Sequence, residues 1–479
     1  MKSDKKKDAL LSMIRLGKPM TLGEQARLVM FLATPAILAQ LTTTIMQYID
    51  ASMVGSMGAE ASASIGLMET TMWLLGSICS ATAAGFYVQV SHQLGSNDPA
   101  RARSTLRQGI MSVLVVSALL GLVSLAVSPF LPTWLGGNSH ITPTASAYFA
   151  IVATALPIFQ FSIFGAGMLR SSGNMVVPSV MSVVMMSLDV VFNFFLIFPT
   201  RPMELFGTQI MMPGMGMGVM GAAIGTVSAE LVAASITMYI LCFRSKELSL
   251  RIDTGRFLPT WGVVKRALHI SLPMGLQQTI MCSAYVMTTI IIAPLGTFAI
   301  AANSFGIIIE SLCYMPGYGI ADAATTLVGQ SMGAGRHELM KRFAWLSVGL
   351  GVTVMAVMGV VMYVGAPTAM AMMTPAEEVR RLGVEVLRIE AFAEPMFAAA
   401  IVSYGVFVGA AKTLVPSIMN LVSIWGVRIS LAAMLAPSMG LRGVWIAMCI
   451  ELCFRGLIFL VKLKFWNIQT SCKHYGKDQ

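Results

Sequence analysis

Long apolar runs interrupted by short polar breaks recur twelve times along the chain, at 28–55, 62–91, 107–131, 143–169, 176–199, 217–243, 262–292, 299–330, 343–366, 383–409, 414–437 and 441–463. Each run can cross a bilayer as a helix, which takes about 20 predominantly apolar residues. A backbone inside hydrocarbon has to satisfy its own polar groups, so the pattern predicts an all-α integral membrane protein of twelve transmembrane helices. The longest basic break, Phe243 to Arg266, divides the spans six and six and reads as a linker with an interfacial piece. The expected organisation is a tail 1–27, a six-helix lobe 28–243, a linker 244–261, a second six-helix lobe 262–465 and a tail 466–479.

The halves repeat each other. Pro35, Gln40, Gly58, Gly95, Pro157, Gly167 and Pro178 match Pro273, Gln278, Gly296, Gly333, Pro395, Gly405 and Pro416, every pair 238 residues apart. After the fifth span the offset falls to 222, where Gly218 and Gly221 match Gly440 and Gly443, because the first half carries about 16 extra residues around PTRPMELFGTQIMMPG. Six is an even number, so both halves enter the membrane from the same side. The two lobes are then related by a parallel pseudo-twofold along the membrane normal, and duplicated bundles of this kind commonly enclose a cleft.

Composition narrows the class further. A chain that is 56% hydrophobic and 11% charged, with mean hydropathy +0.76, is not a soluble globular protein. Of its 32 lysines and arginines, five (Arg201, Arg380, Arg381, Arg388 and Arg442) fall on the side opposite the N-terminus and two (Arg428 and Arg455) within spans. The other 25 lie in the tails and in loops on the N-terminal side, which places both termini in the cytoplasm of a multi-pass protein of the plasma (inner) membrane. The net charge of +10 is spread over these loops rather than gathered in one patch, so nucleic acid is not an expected partner. Seven cysteines stand singly, apart from Cys449 and Cys453 one turn apart, and read as reduced. Five scattered histidines offer no metal-ligand spacing. The charged MKSDKKK start leads into a polar, broken stretch, unlike a cleavable signal. There is no nucleophile elbow, acid–base pair with histidine or Walker motif, so neither an enzyme nor direct use of ATP is expected.

The first span carries the leading chemical candidate, Asp50, near one end and Pro35 near the other. Two readings of Asp50 stand. A carboxylate at membrane depth is costly unless it faces a cavity or a partner, which makes it a proton or ion site; at headgroup level, with Gly55 and Gly58 close behind, it costs little. Pro35 removes a helical donor, and is either a plain kink or a working hinge. Thirty-nine methionines, clustered at 181–186, 211–220 and 370–373, suit either ordinary packing or a pocket that accepts many shapes.

The ID-x-SMVG run with Asp50, the QVSHQLGS and TLVGQSMGAGR turns, GMLRSSGN and GVFVGAAKT before Pro178 and Pro416, and GVMGAAIGTV in the sixth span resemble the multidrug and toxic compound extrusion (MATE) family, in register over nearly the whole chain. That resemblance implies two lobes around a V-shaped cavity, alternating access, and export of cationic or amphipathic compounds in exchange for H+ or Na+, with no cofactor and a monomer in the bilayer. Asp50 matches the family's first-helix aspartate and Pro35 the proline at the bend. Tyr148 matches a cavity tyrosine, with an interfacial aromatic as the alternative, and joins Gln40 and Gln278 as substrate-cavity residues. Thr226 matches a polar residue of the N-terminal ion pocket, and otherwise only bonds its own helix backbone. The DinF-like branch shows asparagine and then aspartate in the fifth span; here the order is reversed, Asp189 then Asn193, but one turn still places both on one face. Together Asp50, Asp189, Asn193 and Thr226 form the expected ion-coupling set, with transient Na+ at the two aspartates and no resident metal. Where NorM-type members carry acids in the seventh and tenth spans this chain has Met281 and Phe397, so coupling is expected in the first lobe alone. Glu390 and Glu394, near the start of the tenth span, line the outer cavity or form a solvated rim, and Glu310 and Asp322 of the eighth span, Arg428 of the eleventh and Glu451 with Arg455 of the twelfth, one turn apart, are candidates for interhelical pairs. The superfamily also includes lipid-linked oligosaccharide flippases, an alternative that would call for several cavity arginines.

Overall fold

A computed structural model describes residues 2–205 and 208–466, so all of the expected C-terminal tail except residue 466 lies outside the described residues. The helices are α1 (Lys2–Arg15), α2 (Leu22–Gly55), α3 (Ala59–Gly95), α4 (Pro99–Val127), α5 (Leu131–Trp134), α6 (Thr142–Thr154), α7 (Leu156–Ser171), α8 (Val176–Ile197), α9 (Gly218–Tyr239), α10 (Trp261–Ile292), α11 (Thr297–Gly333), α12 (His337–Met373), α13 (Glu377–Glu390), α14 (Glu394–Gly409), α15 (Leu414–Leu421), α16 (Ser430–Met439) and α17 (Leu441–Lys464). A π-helical turn, Val422–Ile429, joins α15 to α16 into one span. The extra residues of the first half form an antiparallel hairpin, β1 (Pro199–Leu205) with β2 (Thr208–Met215), a feature that the hydropathy pattern did not announce.

Among the described residues ten helices are long and apolar enough to cross a membrane, and counting each of two bent pairs as one span gives twelve. The pairs are α6 with α7, bent by 48°, and α13 with α14, bent by 58°. Both breaks fall at register-matched prolines: Pro157 and Pro395 each stand in the first turn of the second helix, where a missing N–H is harmless, and both disfavour continuation of the helix before them. Helix starts follow local chemistry as well. Thr21 and Glu24 form a reciprocal capping box at the head of α2, backbone N–H to side-chain oxygen at 2.8 and 3.3 Å, and Asp98 caps α4 through the Arg101 N–H at 3.0 Å.

The described chain forms two compact units. The N-unit holds residues 41–90 and 98–275, the C-unit 2–40, 91–97 and 276–466. Membership thus changes inside α2, between Gln40 and Leu41, and inside α10, between Gly275 and Leu276, a few residues beyond the matched Pro35 and Pro273, rather than at the 244–261 linker.

Within the N-unit the linker is clamped to α4. Arg103 Nε donates to Asp253 Oδ2 at 2.7 Å, Arg107 donates to the other carboxylate oxygen, and the Thr260 N–H donates to Gln108 Oε1 at 2.9 Å. Both guanidiniums hold the Asp253 carboxyl below its ordinary 3.8. The start of α10 sits on α3, where Gln89 Nε2 donates to the Val263 carbonyl at 3.2 Å.

Within the C-unit the tail 1–27 is not a loose extension. It contains α1, which buries Leu10, Leu11 and Ile14 and is held by Arg336 donating to the Met13 carbonyl at 3.0 Å. The matched Gly95 and Gly333 cross one another at the ends of α3 and α11: a Cβ at either would fall 2.1 Å from the Gln330 carbonyl oxygen or 1.9 Å from that of His92. Only glycine permits that approach.

Candidate functional site

The MSLDVVFNFF segment of α8 spaces Asp189 and Asn193 one turn apart, so both project from one face of the helix. They are 0% and 1% exposed. Asn193 Nδ2 donates to Asp189 Oδ2 at 3.1 Å and to Asp50 Oδ1 at 3.0 Å, joining α8 to the last turns of α2. The Asp50 and Asp189 carboxyls also face each other at hydrogen-bonding range. Two carboxyls can share a hydrogen bond only when one of them carries a proton. Asp189 Oδ1 and Asn193 Oδ1 are buried without a partner, leaving acceptors that suit a proton donor or a small cation.

Helix α9 makes room for this arrangement. A Cβ at Gly225 would stand 2.1 Å from Asn193 Oδ1, so the amide keeps its place only against a glycine. Thr226 follows on α9, half-buried. Tyr148 of α6 is half-buried among Met68, Phe149 and Leu156 and lies within electrostatic reach of Asp50, Glu69 and Asp189.

A family model, MatE, matches residues 35–195 and 273–434, starting at the two register-matched prolines. The chain belongs to the MatE family. Curated relatives include two named probable multidrug resistance protein NorM, one from Thermotoga maritima at 23% identity over 90% of each chain and one from Chromobacterium violaceum at 26% over 95% of this chain and 96% of the relative. A third, multidrug resistance protein MdtK of Yersinia pestis, is 22% identical over 93% and 97%. A MATE crystallised with MaL6 superposes with a TM-score of 0.85 at 18% identity over 97% of this chain and 99% of the other, which shows a shared fold. MatE proteins such as these are transporters rather than enzymes.

Measured against this MatE fold, the residues singled out in the sequence divide in two. Asp50, Asp189 and Asn193 are bonded together in the N-unit, with Tyr148 and Thr226 near them. Gln40 and Gln278 belong to the C-unit, where Gln40 Nε2 donates to Asp322 Oδ2 of α11 at 3.3 Å. Two N-unit acids escaped notice. Glu69 of α3 lies near Tyr148, and Glu230 of α9 bonds Ser162 and lies near Asp189. Each is a lone carboxyl in an apolar run, which is the signal that could have found it.

One expectation is overturned. Glu390 and Glu394 are not a solvated rim: both are 0% exposed. Val379, Gly383, Val386 and Glu390 share one face of α13 at helical spacing, and that face is buried while Arg380, Arg381 and Arg388 point elsewhere. The expected Glu451–Arg455 pair is present at 2.9 Å, and Arg428 adds a second contact to Glu451 at 2.7 Å.

Proposed function

We propose that this MatE protein is a secondary active antiporter that exports cationic or amphipathic compounds in exchange for H+ or Na+ by alternating access, from a plasma (inner) membrane with both termini cytoplasmic. The observation that carries the reading is the Asn193 bridge between a part-buried Asp50 and a buried Asp189, two acids with spare acceptors that suit one proton or one small cation. Loading such a site changes its charge, and a charge change biases a conformational equilibrium when the two conformations bind the ion unequally. The relatives named multidrug resistance proteins supply the substrate class. The flippase alternative finds less support, because Arg428 and Arg455 are both engaged by Glu451 and leave no arginine pair for a pyrophosphate.

The test is ethidium export from vesicles under imposed proton or sodium gradients, with wild type and Asp50→Asn compared at equal membrane abundance. A carboxamide keeps the shape but offers neither proton nor charge, so Asp50→Asn is expected to lose gradient-driven export. Export at the wild-type rate would overturn the assignment.

A further inference from the structure

Inside the C-unit, the head of α2 and the turn from α11 into α12 enclose a cavity of about 750 Å³, lined among others by Met20, Gln25, Arg336, Lys341 and Arg342. Its wall is cationic. The one carboxylate among the lining residues, Glu338, has a side chain that is 83% exposed and meets Lys341 at 3.8 Å, a solvated pair that contributes little. Arg336 donates one N–H to the Met13 carbonyl at 3.0 Å, and a guanidinium carries five. Among the described residues neither Arg336 nor Arg342 has an acidic partner. Gln25 is 0% exposed; its Nε2 donates to the Met20 carbonyl at 2.9 Å, while its Oε1 is buried with no hydrogen-bond partner among the described residues.

The internal repeat shows what this cavity lacks. The 238-residue offset matches Asp98 with Arg336, Arg103 with Lys341 and Asp253 with Arg15. In the first half Asp98 caps α4 and Asp253 pairs with Arg103, so the chain's own carboxylates neutralise that helix start. In the second half arginines stand at both matched positions, and no side chain caps α12. An uncapped helix start beside three cations favours an anion from outside the chain. Gln25 adds a second requirement: an orphaned acceptor is satisfied by a donor, so the ligand carries a hydroxyl next to its negative group. Trp345, 44% exposed, stands one turn beyond Lys341 on α12, and Leu22, 64% exposed, opens α2. Exposed apolar and aromatic side chains around a basic cluster mark the depth of lipid headgroups.

We propose that this cavity binds a phosphate ester with a neighbouring hydroxyl, presented as the headgroup of an acidic, glycerol-headed phospholipid. The phosphate lies on Arg336, Lys341 and Arg342, and the hydroxyl donates to Gln25 Oε1. Free glycerol phosphate offers the same groups from water, but Trp345 and Leu22 favour the lipid. The lipid is a fixed ligand that ties the head of α2 to the start of α12, not an exported compound. On the orientation proposed above its leaflet is the cytoplasmic one; the binding itself does not depend on that orientation.

Native mass spectrometry of the delipidated full-length protein in detergent tests this, with dioctanoyl phosphatidylglycerol, phosphatidylcholine and phosphatidylethanol and with glycerol 3-phosphate as probes. Phosphatidylglycerol is expected to bind saturably and about tenfold more tightly than zwitterionic phosphatidylcholine. The double variant K341A/R342A removes two exposed side chains, so it should fold, and is expected to lose about tenfold in affinity for phosphatidylglycerol. R101A, at the exposed start of α4, is expected to lose none. Phosphatidylethanol is equally anionic but has no hydroxyl; it is expected to bind wild type about fivefold more weakly than phosphatidylglycerol, and Q25M to abolish that difference. Should Q25M fail to fold, the two lipids compared on wild type still decide the hydroxyl contact, and equal affinities would overturn it. Equal binding of phosphatidylcholine, undiminished binding in K341A/R342A, or an equal loss in R101A would overturn the proposal. Glycerol 3-phosphate binding as tightly as the lipid would overturn the lipid assignment and give the cavity to a soluble ester.

Discussion

The acids of the two units solve the same problem in opposite ways. In the N-unit Asp50 and Asp189 share one amide donor, Asn193, and no arginine or lysine is bonded to them among the described residues. In the C-unit Glu451 is fixed by two guanidiniums, while the carboxyl oxygens of Glu390 and Glu394 have no hydrogen-bond partner and Arg428 reaches Glu390 only through space. A hydrogen-bonded acid pair with spare acceptors can exchange its proton or cation at modest cost, whereas an arginine-locked carboxylate is held by charges that neither partner can leave. The difference separates acids joined through a neutral amide from a carboxylate locked between two cations.

The sharpest way to break this comparison is at the anchor. Glu451→Gln strands two buried guanidiniums, and removing one partner of a buried ion pair costs about 3–5 kcal/mol. The variant should show a large drop in thermal unfolding temperature in detergent. A drop no greater than that of a surface substitution would mean that Glu310 replaces Glu451 as counter-ion, and the anchor would not be one.

Next in size is the N-unit amide. Gly225→Ala drives a methyl into Asn193 Oδ1, and overpacking of a tight interior costs about 1–3 kcal/mol. Because the displaced group is the donor shared by both aspartates, export should fall more than unfolding temperature does. An equal fall in both would demote Asn193 to a packing residue.

Much of this comparison was open to reading in the sequence, and the missing part has physical reasons. The 238-residue offset matched Pro157 with Pro395 while 143–169 and 383–409 read as unbroken spans; the breaks that the structure places at these prolines follow from local backbone sterics, which hydropathy does not record. The spacing of Asp189 and Asn193 was enough to put them on one face, and the resemblance supplied Asp50 as their partner. Glu390 was misread because its stretch is rich in arginine and glutamate, and charge density outweighed the four-residue rhythm that buries it beside Val386. The change of unit inside α2 and α10 was not legible, since an apolar span does not record which neighbour covers each end.

A smaller effect sharpens the N-unit itself. Asp189→Asn leaves Asp50 as the single acid of the site, with a neutral neighbour of the same shape. Asp50 then no longer shares a proton, so the pH or sodium dependence of ethidium export should move while the maximal rate changes less. An ion dependence identical to the wild type would assign Asp189 to structure alone.

The smallest expected effect lies outside the membrane, at Asp253, where charge pairing can be measured free of the bilayer. Arg107 and Arg103 bond the carboxylate and hold its pKa below the ordinary 3.8, so the folded protein releases this proton more readily than the unfolded chain. A depressed carboxylate pKa contributes stability that is fully present above the unfolded value and is lost as pH falls through the folded one. Asp253→Asn should therefore lower the unfolding temperature slightly at pH 7, by the equivalent of about 1 kcal/mol or less for a partly solvated pair. The gap between variant and wild type should close on acidification below about pH 4. High salt should narrow it as well, since these groups lie near solvent. A gap that persisted in acid would mean that Asp253 holds the linker through shape or backbone contacts, and that its pairing with α4 owes little to charge.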